Sequence, residues 1–123
     1  MTNLRKTWIT AALLGAIAGI MGTKATAAEF VPITTEAEFN ALVVGKKLHF
    51  NSDYFIIKQN GTLKGNFGGK ALKGNWAWRD GAWCRTLTTH RKNTDCQIWA
   101  VDGKKFEVKR ARGKGSSYIY TVK

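Results

Sequence analysis

The sequence predicts a mostly β protein: an antiparallel up-and-down meander of seven or eight strands, closed or nearly closed into a small barrel, with one short helix ahead of it. Three observations predict this. From Lys47 to the end, runs of four to eight residues rich in aromatic and β-branched types succeed one another, the pattern of strands. Turn pairs separate them, notably Asn60-Gly61, Gly68-Gly69, Asp80-Gly81 and Asp102-Gly103, and type I′ hairpin turns need positive φ at both central positions. Strands joined this tightly pair with their chain neighbours, and such a meander removes its open edges most completely by closing on itself. A curled open sheet or a small sandwich is the competing arrangement.

The elements follow in chain order. In MTNLRKTWITAALLGAIAGIMGTKATAAEF, Arg5 and Lys6 precede an apolar run from Trp8 to Met21, and Ala25-Thr26-Ala27 closes it. That order predicts a cleavable secretory signal over 1-27. The run is too short for a bilayer of about 30 Å, so the mature chain is not expected to span a membrane. A single β domain is expected over 28-123. Residues 28-33 read as an extended lead-in, since Pro32 biases Val31 away from helix. A short helix is expected over about 35-43: Thr35 and Glu38 have capping-box spacing, Phe39, Leu42 and Val43 recur at helical intervals, and Gly45 marks the exit. Strands are then expected around 47-50, 54-59, 62-67, 71-78, 83-89, 96-101, 104-110 and 117-122.

The richest stretch is Gly74-Asn-Trp-Ala-Trp-Arg-Asp-Gly-Ala-Trp-Cys-Arg-Thr86. A two-residue turn at Asp80-Gly81 pairs Arg79 with Ala82, Trp78 with Trp83, Ala77 with Cys84 and Trp76 with Arg85. Trp76, Trp78, Trp83 and Arg85 then share one face and Asn75, Ala77, Cys84 and Thr86 the other. The aromatic face is the interior. A second hairpin turning at Asp102-Gly103 would pair Trp99 with Phe106 and Val101 with Lys104, and would set Cys96 opposite Lys109. Both cysteines fall on the outer face. Cys84 and Cys96 are the only two cysteines, and in an exported chain a disulfide between them is the default. A metal site from Cys84, His90 and Cys96 lacks a fourth ligand and zinc-site spacing, so no metal is expected.

Arg85 is the odd member of the inner face. A cation among tryptophans must be paired, hydrated or stacked, and stacking on Trp76 is the arrangement the register favours. Trp76, Trp78, Trp83, Arg85 and Trp99 therefore form a candidate pocket whose arginine recognises an anion, or a structural plug in a barrel filled by its own side chains.

From Phe30 through Val122 the chain resembles a family of small secreted bacterial proteins of unresolved function. The resemblance is carried by Thr35-x-x-x-Phe39, Gly45-Lys46, Asn60-Gly61, Gly65-x-Phe67-Gly68-Gly69, Gly74-x-Trp76-x-Trp78-x-Asp80-Gly81, Cys84-Arg85, Thr94-Asp95-Cys96-Gln97 and Arg112-Gly113-Lys114-Gly115. It implies the periplasm and a paired-cysteine β fold, and supplies no catalytic residues. Some members bear a dihydrodipicolinate-reductase label. A nicotinamide-dependent reductase needs a glycine turn between a strand and a helix, followed by parallel α/β units, whereas the glycines from Gly61 to Gly69 lie between expected strands. Gly74-Asn75-Trp76 with Arg85 is also similar, more faintly, to lipocalin-like and avidin-like barrels.

No other catalytic constellation emerges. His49 and His90 are isolated, Ser52, Ser116 and Ser117 sit in no nucleophile elbow, and Glu36 and Glu38 face apart on the helix. Gly113-Lys114-Gly115-Ser116 lacks Walker spacing and a following helix. No cofactor is expected. Of the 20 Lys and Arg, three (Arg5, Lys6, Lys24) leave with the signal, and 17 against 8 Asp and Glu gives the mature chain +9. Lys104, Lys105, Lys109, Arg110, Arg112 and Lys114 crowd the last hairpin as a candidate anion-binding patch. Charge of this sign favours anionic lipid, lipopolysaccharide or acidic polymers, and export argues against nucleic acid as the main partner. The expectation is a non-enzymatic periplasmic binding or interaction protein. An envelope-stability or inhibitor protein binding another protein through its loops is the first alternative, and an uncharacterised enzyme the second.

Overall fold

The computed structural model describes residues 29–123, and the leader expected over 1-27 lies outside the described residues. A two-residue strand β1 (Val31–Pro32) and helix α1 (Glu36–Leu42) come first. Eight strands then run in sequence: β2 (Lys47–Phe50), β3 (Asp53–Ile57), β4 (Thr62–Phe67), β5 (Lys70–Arg79), β6 (Ala82–Leu87), β7 (Thr94–Asp102), β8 (Lys105–Lys109) and β9 (Ser117–Val122). Each pairs antiparallel with the next. β9 returns to β2 through Leu48↔Val122 and His49↔Thr121, and this last ladder closes an eight-stranded barrel.

α1 forms where the capping residues place it. The Thr35 side chain accepts from Glu38 N at 3.2 Å, and the Glu38 carboxylate accepts from Thr35 N at 3.3 Å, so two orphan amides of the first turn are satisfied reciprocally. Its apolar side is narrow. Phe39 is fully buried, and Val43 just past the helix is too. Phe39 is ringed by Trp76, Trp78, Trp83 and Trp99 at centroid distances of 5.8, 5.3, 6.0 and 5.2 Å. The helix therefore plugs one end of the barrel. At its exit Gly45 takes φ 87°, and its N–H donates to Ile57 O at 2.8 Å, tying the plug to β3.

β1 completes that end. β6 pairs with β7 only as far as Trp83↔Gln97, and β1 takes over the same side of β7 through Val31↔Val101, Pro32↔Ala100 and an Ile33 N to Trp99 O bond of 2.9 Å. Proline suits this two-residue edge because it has no amide to leave unpaired. Ile33, 2% exposed, is thereby delivered into the core.

The Trp hairpin has the register its turn dictates: Trp76↔Arg85, Ala77↔Cys84, Trp78↔Trp83 and Arg79↔Ala82, with Asp80 and Gly81 at φ 49° and 78°. The second hairpin corrects the expected pairing by two residues. Asp102 is itself the last rung, opposite Lys105, so Trp99 meets Val108 and Val101 meets Phe106. Gly103, at φ 60°, takes the first central position of the turn, the place glycine holds in type II′. Lys109 pairs with Ile98, so Cys96 lies beyond the end of the β7–β8 ladder, while on its other edge it faces Cys84 on β6. A shift of two preserves the faces, which is why the inner residues are still those the alternation predicts.

Cys84 and Cys96 form a disulfide across directly opposed rungs, with Cα atoms 3.9 Å apart. It lies on the outer face, bordering the same groove as Asn75, Ala77 and Thr86. On the next rung inward-facing Arg85 opposes Asp95, so the bridge pins the register that brings these two charges together. Reduction, or Cys84→Ser with Cys96→Ser, is expected to cost about 3 kcal/mol of stability. A urea unfolding midpoint measured with and without reductant checks this; an unchanged midpoint would mean the ladder alone sets the register.

Candidate functional site

Opposite the α1 plug, the barrel is open. A cavity of about 450 Å³ begins above Trp83 and is bordered by the β2–β3, β4–β5, β6–β7 and β8–β9 connections. Its walls are apolar: Phe50, Phe55, Leu63, Phe67, Leu72, Trp83 and Leu87, with Tyr118 and Tyr120 from β9. Strand alternation alone puts them there, since each comes from the inward parity of its strand. Into this apolar cup project Arg85, Gln97, Asn93 and Arg110, and at the mouth stand Asp53, His90 and Arg91.

Arg85 is 9% exposed. Its Nη1 donates to Asn93 Oδ1 at 2.7 Å and to Asn93 O at 3.4 Å, while Nη2 lies 4.0 Å from Asp95 Oδ2. The stacking on Trp76 expected from register is replaced by these polar partners. Trp76 instead turns its indole toward the plug and donates from Nε1 to Lys58 O at 2.9 Å. Burial pushes the guanidinium below its ordinary value, Asp95 pulls it back up, and Arg110 adds to the lowering; an arginine remains cationic throughout.

Asp95 is the organiser of the wall. It accepts from Arg110 Nε at 3.0 Å, Gln97 Nε2 at 3.0 Å and the Ala111 amide at 3.0 Å. Those last contacts fasten a turn at Arg110–Gly113 in which Ala111 and Arg112 both take φ 52°, a left-handed conformation that costs a side-chain-bearing residue about 1–2 kcal/mol. On the facing strand Tyr120 stacks on Trp99 at 6.3 Å and meets Phe55 edge-on at 5.1 Å. Burial first, then Tyr118, pushes its phenol up to about 12, so at neutral pH it keeps its proton. His90 Nε2 donates to Phe67 O at 2.9 Å, tying the β6–β7 loop to the end of β4 at the mouth.

The expected site residues divide. Trp83 and Arg85 line the cavity; Trp76, Trp78 and Trp99 do not, and pack around Phe39 at the plugged end. The expected basic patch divides too. Lys104 and Lys105 are exposed at the plugged end of β8, while Lys109, Arg110, Arg112 and Lys114 sit at the open end, about 13 Å away along the five-residue strand. Arg110 alone of the six enters the cavity wall. Tyr118 and Tyr120 pair with Val108 and Phe106 and point inward, away from Lys105 and Lys109. Asp95, Gln97 and Asn93 are not among the expected site residues: Thr94-Asp95-Cys96-Gln97 belongs only to the resemblance, and Asn93 lies outside any motif. Alternation carried across the cysteine rung would have found the first two, because they share the parity of Trp99.

Burial pushes the Asp95 carboxyl up, but the bonds from Gln97, the Ala111 amide and Arg110 outweigh it and hold the group below its ordinary 3.8. A carboxyl lowered in the folded state contributes stability that is complete above the unfolded value and is lost as pH falls through the folded one. Acidification below about pH 4 is therefore expected to release the Arg110–Gly113 turn. Loss of Ala111 amide protection in hydrogen exchange, abolished as an acid transition in Asp95→Asn, would register it; protection unchanged down to global unfolding would show that Asp95 does not fasten the turn.

Among the described residues no cluster of three or more His, Cys, Asp or Glu side chains is placed to hold a metal ion, and no helix is long and apolar enough to cross a membrane. No protein-family model matches the chain, and neither the curated proteins nor the solved structures contain a match to it.

Proposed function

We propose that the protein is an exported, non-enzymatic binding protein whose barrel cup holds a small anionic molecule. The observation that carries this reading is Arg85, a cation with 9% exposure set in the wall of an apolar cavity of about 450 Å³. Small-molecule sites are of this size, about 300–1,000 Å³, and combine apolar walls with a few convergent polar groups. Export rests on the basic, apolar, small-residue order of the first 27 residues. The test is a calorimetric screen of small organic anions against the processed chain, Arg85→Met, Lys105→Ala and the mouth-filling Leu87→Trp. Binding lost in Arg85→Met and Leu87→Trp but kept in Lys105→Ala supports the cup; binding indifferent to Leu87→Trp removes it.

A second reading has its own observation. Lys70 at the start of β5, and Arg91, Lys92, Arg112 and Lys114 on two of the loops, are exposed around the mouth, and the ion pairs among the described residues engage only Arg85 and Arg110. Such a rim favours capture of an anionic lipid surface, lipopolysaccharide or acidic polymer. Sedimentation with anionic vesicles that falls steeply with salt and with Arg112→Ala, but is indifferent to Arg85→Met, would support the rim over the cup.

A further inference from the structure

The level at which Arg85 sits inside the cup narrows the class of ligand, an inference that rests on the cup reading above. Along β6 the inward residues are Trp83, Arg85 and Leu87 from floor to mouth. Trp83 is 1% exposed and stacks on Phe39, so the plug closes the cup one rung below Arg85. Toward the mouth Leu72, Leu87 and Phe67 give the wall an apolar side, while Asp53, His90 and Arg91 stand at the rim. A charged group bound by Arg85 therefore lies deep, with apolar surface along one side between it and solvent.

Arg85 is the buried cation of the wall with donors to spare. Arg110 holds Asp95 through Nε at 3.0 Å, and its side chain is 38% exposed at the open end. The bonds Arg85 makes leave from Nη1 to Asn93, and its Nη2, 4.0 Å from Asp95, is beyond hydrogen-bond length. A planar guanidinium matches a carboxylate through two parallel N–H donors. A dianionic phosphate would bring a second negative charge next to Asp95, where like charges repel. A neutral hydroxyl would leave most of the charge complementarity unused. Tyr120, whose ring lines the same cavity, supplies a neutral O–H rather than a competing charge.

We infer that the cup takes a monocarboxylate with an apolar body, entering head-first so that the carboxylate reaches Arg85 and the hydrocarbon lies against Leu72, Phe67 and Leu87. Octanoate, octanol and octyl phosphate, titrated calorimetrically into the processed chain, test the class. Octanoate is expected to bind about tenfold or more tighter than either analogue, the scale of one charge-assisted pair, and Arg85→Met should erase the preference. Octanoate brominated beside its carboxyl should quench Trp83 fluorescence more than octanoate brominated at its far end, with Trp83→Phe as the control. Should Arg85→Met fail to fold, the comparison of the three probes on the unaltered protein still decides. Octanol or octyl phosphate binding as tightly as octanoate overturns the class, and stronger quenching from the far-end bromine overturns the orientation; either leaves the cup reading intact. Failure of octanoate while another anion binds through Arg85 also overturns only the class. Failure of every anion overturns both.

Discussion

Replacing Phe39 by alanine is expected to lower the unfolding free energy by about 3–5 kcal/mol, the range for emptying a buried aromatic site. Phe39 is fully buried and contacts four indoles, so its removal would leave a cavity between them. For a domain of this size, stable by about 5–15 kcal/mol, the loss consumes much of the margin. It also reaches the cup, since Trp83 would lose the surface on which it stacks. Equilibrium urea unfolding gives the number, and Phe39→Leu, which keeps much of the volume, should recover part of it. A loss below about 1 kcal/mol, the scale of an ordinary surface or mild core change, would mean that α1 covers the barrel without plugging it.

Gly65→Ala is expected to cost about 3 kcal/mol or more, toward the upper end of overpacking effects. A Cβ built on Gly65 falls 2.6 Å from Phe55 Cα and 2.7 Å from Phe55 Cβ, and closer still to Tyr54 O. These are the backbone and the rigid start of a side chain on the paired strand β3, so no rotamer change relieves the contact. β3 and β4 would have to part. Glycines at such positions let a small barrel curl tightly. Gly68→Ala is the contrasting control: its Cβ meets nothing within 4 Å, though its φ of 61° disfavours a side chain, and about 1 kcal/mol is expected there. Thermal unfolding of the two variants side by side separates steric from conformational cost, and equal losses would refute the close approach at Gly65.

The legible part of this fold was local. The Asp80-Gly81 turn fixed one register and therefore which face carries Trp76, Trp78, Trp83 and Arg85. The capping box fixed where α1 begins. The Asp102-Gly103 turn misled by two residues because one dipeptide serves more than one turn type, and whether Asp102 lies in the turn or on the ladder depends on its neighbours. At the site, alternation correctly pointed Arg85 inward but could not say who meets it. Its partner Asn93 lies in a loop with no periodicity, and Asp95 reaches Arg110 across fifteen positions of chain.

What the sequence determined by itself is the set of inward and outward residues on the two hairpins, the disulfide and the helix α1, because periodicity, turn chemistry and a lone pair of cysteines act within a hairpin or a few residues. Which indoles become core and which line a cavity was decided only when the strands closed and α1 entered one end. Phe39 claimed Trp76, Trp78 and Trp99, and the opposite end, with no second plug among the described residues, kept its volume for Arg85. The physical reason is that alternation specifies the side of a sheet, whereas depth along a barrel depends on what else occupies its axis.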